Sequence, residues 1–273
     1  MLLRSLRFSV RAVRLELLIA KTAKTAKASK NNSHDHPFMT TVFIESILQL
    51  RPTLAVFDCD GTLWSGDLGE RFFDWELRSG ILADETVRRM RSRYAEYKEG
   101  KISEDDMCGE MVTLHTGMRE EEVLRLSDEF FNDNFVQQIF PEMRQLVHDL
   151  QNAGCDVWAV SSTNEWTIRG AMKHFAISDN KILAAVSHVK AGIITDRIIR
   201  LPSGPGKPKA ICDVIERTPD AAFGNSRWDV DMLRIASHPV AVNPNPDLEQ
   251  LAREQGWMIY HPLQAAVRGT TPE

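Results

Sequence analysis

The sequence predicts an α/β protein: a Rossmann-like parallel sheet sandwiched by helices, with an α-helical block inserted after the first strand. Three observations carry this. The apolar run Leu54-Ala55-Val56-Phe57 leads into Asp58-Cys59-Asp60-Gly61-Thr62 and reads as a buried strand ending in a polar turn. From Gly154 onward, short apolar runs alternate with helical patterns, which implies parallel strands joined by right-handed crossovers. Residues 66–140 between them keep a helical period.

The elements follow in chain order. Residues 1–38 carry eight Lys and Arg against Glu16 and Asp35, so a net charge of -5 leaves -11 on the rest. Residues 1–40 are expected to be a loose or disordered basic extension. An upstream stretch before Met39 fits this pattern better than an Arg-rich transit peptide. Leu68, Phe72, Phe73 and Leu77 mark a helix that Gly80 can end. Asp84 is placed to cap a second helix through Tyr94 and Tyr97, and Ser103 with Asp106 a third. Val123, Leu126, Phe130 and Phe131 mark a fourth, and Pro141 and Gly154 bracket a fifth over 141–152.

Residues 155–160 then form a strand that stops at Ser161, followed by a helix to about Phe175. Residues 182–186 are extended, 188–200 suggest a small antiparallel ribbon around Gly192, and 209–217 form a helix. Strands at 221–223, 240–242 and 257–260 complete the sheet. The domains are therefore a core of 41–65 and 141–273 and a helical cap of 66–140.

Composition narrows the function. The acidic body offers no footprint for nucleic acid, and Leu15–Ala20 is too short an apolar run to span a membrane. Cys59, Cys108, Cys155 and Cys212 are scattered, which fits free thiols in a reducing, cytoplasmic setting. His34, His36, His115, His174 and His188 lack metal-ligand spacing and read as surface or core residues. Trp64 either packs under the helices or lines an entrance.

In an open parallel sheet the functional crevice lies at the carboxyl ends of the strands. Four such ends carry polar groups here: Asp58 with Asp60, Ser161, Asn225 and Asn243. Strand alternation would aim Asp58 and Asp60 to one side and Cys59 to the other. Two acids that close need a cation between them, or one must keep its proton. A plain Asp-Gly surface turn is the alternative. The apolar strand before it argues against an exposed edge.

Asp58-x-Asp60-Gly61-Thr62, the strand ending in Ser161, Lys207 ahead of a helix, and Gly224-Asn225-x-x-x-Asp229 together resemble the four motifs of haloacid-dehalogenase-like hydrolases. The helical insertion is similar to the cap of their phosphoserine-phosphatase group. The resemblance covers roughly residues 52–262. It implies a Mg²⁺-dependent phosphatase acting on a small phosphorylated metabolite through an aspartyl-phosphate. Asp58 would be the nucleophile and Asp60 the general acid and base. Thr62 would fix the turn, Ser161 and Ser162 would bind phosphoryl oxygens, and Lys207 rather than Lys209 would balance charge. Asp58, the Asp60 backbone carbonyl, Asn225 and Asp229 would surround Mg²⁺, with Asp229 as ligand or just behind one. Asp231 reads as a solvated helix residue.

Three positions depart from the family pattern. Asn225 stands where the family usually has aspartate, so the site loses one negative charge. Asp67 occupies the place of a glutamate near the substrate's amino group, or simply caps a helix. Met111 stands where an arginine would grip a substrate carboxylate, so phosphoserine itself is a poor fit. Phosphate binding without turnover and phosphoryl transfer to a second hydroxyl use the same residues. Dehalogenation does not need the proton that Asp60 would supply.

Overall fold

The computed structural model describes residues 36–263. The loose extension expected over 1–40 lies outside the described residues as far as 35 and is corrected beyond it. Helix α1 (His36–Gln49) already begins there, and Ile44 and Ile47 are buried on it. Contacts divide the chain between Phe43 and Ile44, within this helix, and the sheet lies wholly in the unit that starts at Ile44.

Seven strands form one sheet in the order β4-β3-β2-β1-β5-β6-β7. They are β1 (Leu54–Phe57), β2 (Asp156–Asn164), β3 (Ile182–Lys190), β4 (Ile193–Arg200), β5 (Ala221–Gly224), β6 (His238–Val242) and β7 (Met258–Tyr260). Every neighbouring pair is parallel except β3 and β4. β1 lies centrally between β2 and β5, and all four of its residues are fully buried. That is why its sequence is unbroken by polar residues. Phe57 and Phe223 stack across the β1–β5 pair at 4.1 Å between ring centroids.

Two strands differ from the sequence reading. β2 does not stop at Ser161 but continues to Asn164, its pairing with β3 slipping between Val160 and Asn164. The slip leaves Ser161, Ser162 and Thr163 in an irregular stretch, a device that re-aims side chains beside functional sites. The ribbon of 188–200 is not separate. Its first half is the end of β3, so β4 becomes an edge of the main sheet.

Four helices separate β1 from β2 before the chain returns: α2 (Leu68–Ser79), α3 (Asp84–Lys98), α4 (Glu104–Thr113) and α5 (Glu120–Phe130). A π-turn (Phe131–Phe135) follows, and α6 (Pro141–Asn152) leads into β2. Asp67 and Ser103 cap α2 and α4 by accepting from the amides of Glu70 and Asp106. Asp84 does not cap α3. It is the first helical residue after Ala83, where its carboxylate faces the positive end of the helix dipole instead. Phe73, Leu77, Met90, Met107 and Leu114 form an apolar cluster within the insertion. Trp64 packs beneath the helices, fully buried among the rings of Phe131, Phe135 and Phe175 at about 6 Å.

Inside the insertion lies a buried ion pair. Glu76 on α2 and His115, just past α4, meet at 2.6 Å between Oε1 and Nε2, and neither is more than 2% exposed. Burial alone would lower the histidine's pKa, but the Glu76 carboxylate outweighs it and raises the value above 6.5. A raised pKa in the folded state means the pair's stabilisation is complete below the unfolded value and lost as pH rises through the folded one. Denaturant midpoints should therefore fall as pH rises above about 6.5, and His115→Asn should flatten that slope.

Among the described residues, no helix is long and apolar enough to cross a membrane. All four cysteines are free: Cys59 and Cys155 buried, Cys108 half-buried and Cys212 exposed.

Candidate active site

The carboxyl end of β1 carries Asp58, nearly buried at 6% exposure. Its amide donates to the Phe223 carbonyl on β5, which fixes where the side chain leaves the sheet. One carboxylate oxygen accepts from Lys207 Nζ at 2.7 Å, the other from Thr62 Oγ1 at 2.8 Å. Lys207 is not ahead of its helix. It lies in the first turn of α7 (Gly206–Ile215), 2% exposed, and also donates to Asp229 Oδ1 at 2.6 Å and the Val160 carbonyl at 3.3 Å. One ammonium thus joins two carboxylates, and its pKa is raised despite burial. Burial, then the nearby Asp229, lift Asp58 to about 6, against the pull of Lys207. Lys209 points elsewhere and pairs with Asp213 on the surface.

Strand alternation does not set the direction of Asp60. β1 ends at Phe57, so alternation does not reach it. Three donors hold it instead: Trp64 Nε1 at 2.8 Å and the Leu68 amide at 2.6 Å on one oxygen, Thr163 Oγ1 at 2.7 Å on the other. Its pKa rises to about 8, through burial first and Asp67 second. Burial and Asp67, rather than repulsion from Asp58, favour its protonated form. Trp64, which the sequence places under the helices or at an entrance, and Thr163, which it does not single out, both belong to this site.

Gly61 has φ +74°, and a Cβ there would come within 1.8 Å of Asn225 Nδ2. Only glycine leaves room for that amide beside the turn. Asn225 follows β5 and is tied through its backbone to Asp229 Oδ2 at 3.0 Å and to the Asn245 amide at 2.8 Å. Asn243 Nδ2 donates to the Gly61 carbonyl at 3.2 Å, so the fourth polar strand end also meets the turn. Asp229 is 1% exposed, and both its oxygens are engaged: Oδ1 by Lys207, Oδ2 by the amides of Asn225 and Ser226 and by Ser226 Oγ. Asp231 is half-buried and pairs with Arg234. Ser161 is buried and accepts from the Thr163 amide at 3.1 Å, while Ser162 and Asp67 line an open cavity between the sheet and the helical insertion. Like-charged Glu70 and Glu104 add to burial in raising the pKa of Asp67.

The Asp58 carboxylate and the Asn225 side-chain amide, which fills the space a Cβ at Gly61 would take, flank one turn. Their chemistry fits a small, hard divalent cation. Asp229 fixes Lys207 through one oxygen and the Asn225 loop through the other.

A carboxylate held by a buried lysine thus stands at the tip of the central strand of an α/β sheet, beside a second carboxyl. The sequence signature of haloacid dehalogenase-like hydrolases matches residues 55–234, and the chain belongs to that family. It is 29% identical over 216 residues to a histidinol-phosphatase of Neisseria meningitidis, covering 76% of this chain and 97% of that protein. It is 25% identical to a phosphoserine phosphatase of Mycobacterium tuberculosis, covering 75% of this chain and 69% of the other. Its fold matches a crystal structure of a Bordetella pertussis protein of unknown function at TM-score 0.68 and 22% identity, covering 76% of this chain and 97% of that one.

Proposed function

We propose that this chain is a Mg²⁺-dependent phosphomonoesterase working through an aspartyl-phosphate on Asp58, in a reducing, cytoplasmic setting, with residues 66–140 as a cap over the sheet. The observation that carries this reading is the division of labour between the two acids. Asp58 is ionised against Lys207 and fixed by Thr62 at 2.8 Å. Asp60, at about 8, holds a proton. A phosphatase needs one carboxylate to attack and another to protonate the departing alkoxide.

In the first step an Asp58 oxygen forms a bond to phosphorus, the phosphorus–oxygen bond to the alcohol breaks, and the alkoxide takes the Asp60 proton. In the second, ionised Asp60 removes a proton from water, whose oxygen attacks phosphorus and frees Asp58 and phosphate. Lys207 offsets charge on the phosphoryl oxygens, and Ser161 and Ser162 stand beside them. The Asp58 carboxylate, the Asp60 carbonyl and Asn225 would hold Mg²⁺, which supplies positive charge against the phosphoryl group. Asn225 brings no charge where the family has an acid, so millimolar rather than micromolar Mg²⁺ is the expected requirement.

Phosphate release from an aryl phosphate with Mg²⁺ tests this. Asp58→Asn should abolish it while leaving the fold intact. Undiminished release by that variant would remove Asp58 from the nucleophile's role. An inactive wild type would leave only a phosphate-binding protein.

A further inference from the structure

The two oxygens of the Asp60 carboxyl meet different kinds of partner. Oδ1 accepts from Trp64 Nε1 at 2.8 Å and from the Leu68 amide at 2.6 Å. An indole N–H and a backbone N–H only donate, so neither can receive a proton from that oxygen. Oδ2 meets Thr163 Oγ1 at 2.7 Å, and a hydroxyl can donate or accept. The proton of a protonated Asp60 therefore belongs on Oδ2, and Thr163 is the described side chain bonded to that oxygen.

Thr163 is itself held from two sides. Its amide donates to Ser161 Oγ at 3.1 Å, which ties it to a residue of the same irregular stretch of β2. From the other side helix α2 presses on it. Gly69, in the first turn of α2, is buried, and a Cβ there would lie 2.6 Å from Thr163 Oγ1 and 3.2 Å from Thr163 Cγ2. Glycine is a poor helix former, so its place here calls for a reason, and the contact with Thr163 supplies one. A side chain at 69 must displace one of the two partners. Turning Thr163 about χ1 keeps its backbone bond to Ser161 but swings the hydroxyl off Asp60. Moving α2 instead pulls the Leu68 amide from Oδ1. Either way Asp60 loses a bond.

We infer that Thr163 and Gly69 are positioning residues for the proton transfer: Thr163 aims the Asp60 oxygen that carries the proton, and Gly69 leaves it the room to do so. This rests on the phosphatase reading above, in which Asp60 protonates the departing alkoxide. Both residues act through Asp60 rather than on the phosphoryl group.

Leaving groups separate positioning from general disruption. Gly69→Ala should lower kcat/KM for glycerol 3-phosphate by about tenfold or more, because its alkoxide needs the proton. Nitrophenyl phosphate, whose leaving group departs unaided, should keep its kcat/KM within about twofold. Thr163→Val, which fills the same volume without a hydroxyl, should give the same split and answers the question if Gly69→Ala does not fold. Thr163→Ser keeps the hydroxyl and should stay within about threefold of wild type on both substrates. Gly109→Ala is the control: a Cβ there meets only the end of the Ile198 side chain, at 3.1 Å, and neither substrate should be affected. A crystal structure of Gly69→Ala should place Thr163 Oγ1 or the Leu68 amide beyond about 3.5 Å from the Asp60 carboxyl. Equal losses on both substrates, a full effect in Thr163→Ser, or a Gly69→Ala structure that keeps the bonds from Trp64, Leu68 and Thr163 to Asp60 would overturn the inference. Displacement of Thr163 in the variant, with no phosphate release by the wild type from either substrate, would instead overturn the phosphatase reading and leave only the contact.

Discussion

Lys207→Met is expected to cost about 3–5 kcal/mol of stability at neutral pH and to lower phosphate release by about 10²–10³. The lysine is 2% exposed and gives its three protons to Asp58, Asp229 and the Val160 carbonyl. Methionine fills similar volume, so the loss is electrostatic: two buried carboxylates are left facing each other without their cation. The pH dependence supplies the check. Without the lysine, the folded pKa of Asp58 rises further above the unfolded 3.8, and it already stands at about 6 with the lysine present. An acid whose pKa rises on folding destabilises in its ionised form, so the deficit is largest above that range and shrinks as pH falls toward 3.8. Urea denaturation of wild type and variant between these limits measures it. Lys209→Met, 74% exposed at the side chain, is the control and should stay within about 0.5 kcal/mol. A deficit independent of pH would mean that packing, not charge, is what Lys207 provides.

The same lysine shows what the sequence reveals and where it stops. A strand of four apolar residues at Leu54–Phe57 is readable because burial on both faces leaves no polar position. The strand–helix alternation after Gly154 is readable because each strand is a short apolar run ended by polar residues. Those two patterns place Asp58, Ser161, Asn225 and Lys207 at one edge of the sheet. What they do not convey is orientation. Asp60 lies beyond the last ladder pair of β1, where period-two reasoning has no hold, and its direction is set by Trp64, Leu68 and Thr163. Thr163 is more than a hundred residues away, and only the slipped pairing of β2 against β3 turns it toward Asp60. Asp84 reads as a cap because aspartate favours that position, yet Ala83 takes it, since a carboxylate one residue later gains from the helix dipole instead. Glu76 and His115 are the clearest miss. Each looks like an ordinary helix or loop residue, and only the packing of α2 against the end of α4 makes them a buried pair.

Asp60→Asn separates the two chemical steps. The amide is nearly isosteric: its oxygen can keep the bonds from Trp64 and Leu68, and the Thr163 hydroxyl can turn to accept from the new NH₂. Stability should therefore stay within about 1 kcal/mol of wild type. Activity should not. With an alkyl phosphate the alkoxide must be protonated as it leaves, and removing the acid should lower kcat/KM by about 10²–10⁴. With nitrophenyl phosphate the leaving group departs unaided, so the first step survives while the second, which needs Asp60 to activate water, does not. Rapid mixing should then show a burst of one nitrophenolate per protein followed by slow turnover, as the aspartyl-phosphate accumulates on Asp58. Equal losses on both substrates with no burst would mean that Asp60 shapes the pocket without handling the proton, and the role would have to pass to another group in reach of Thr163.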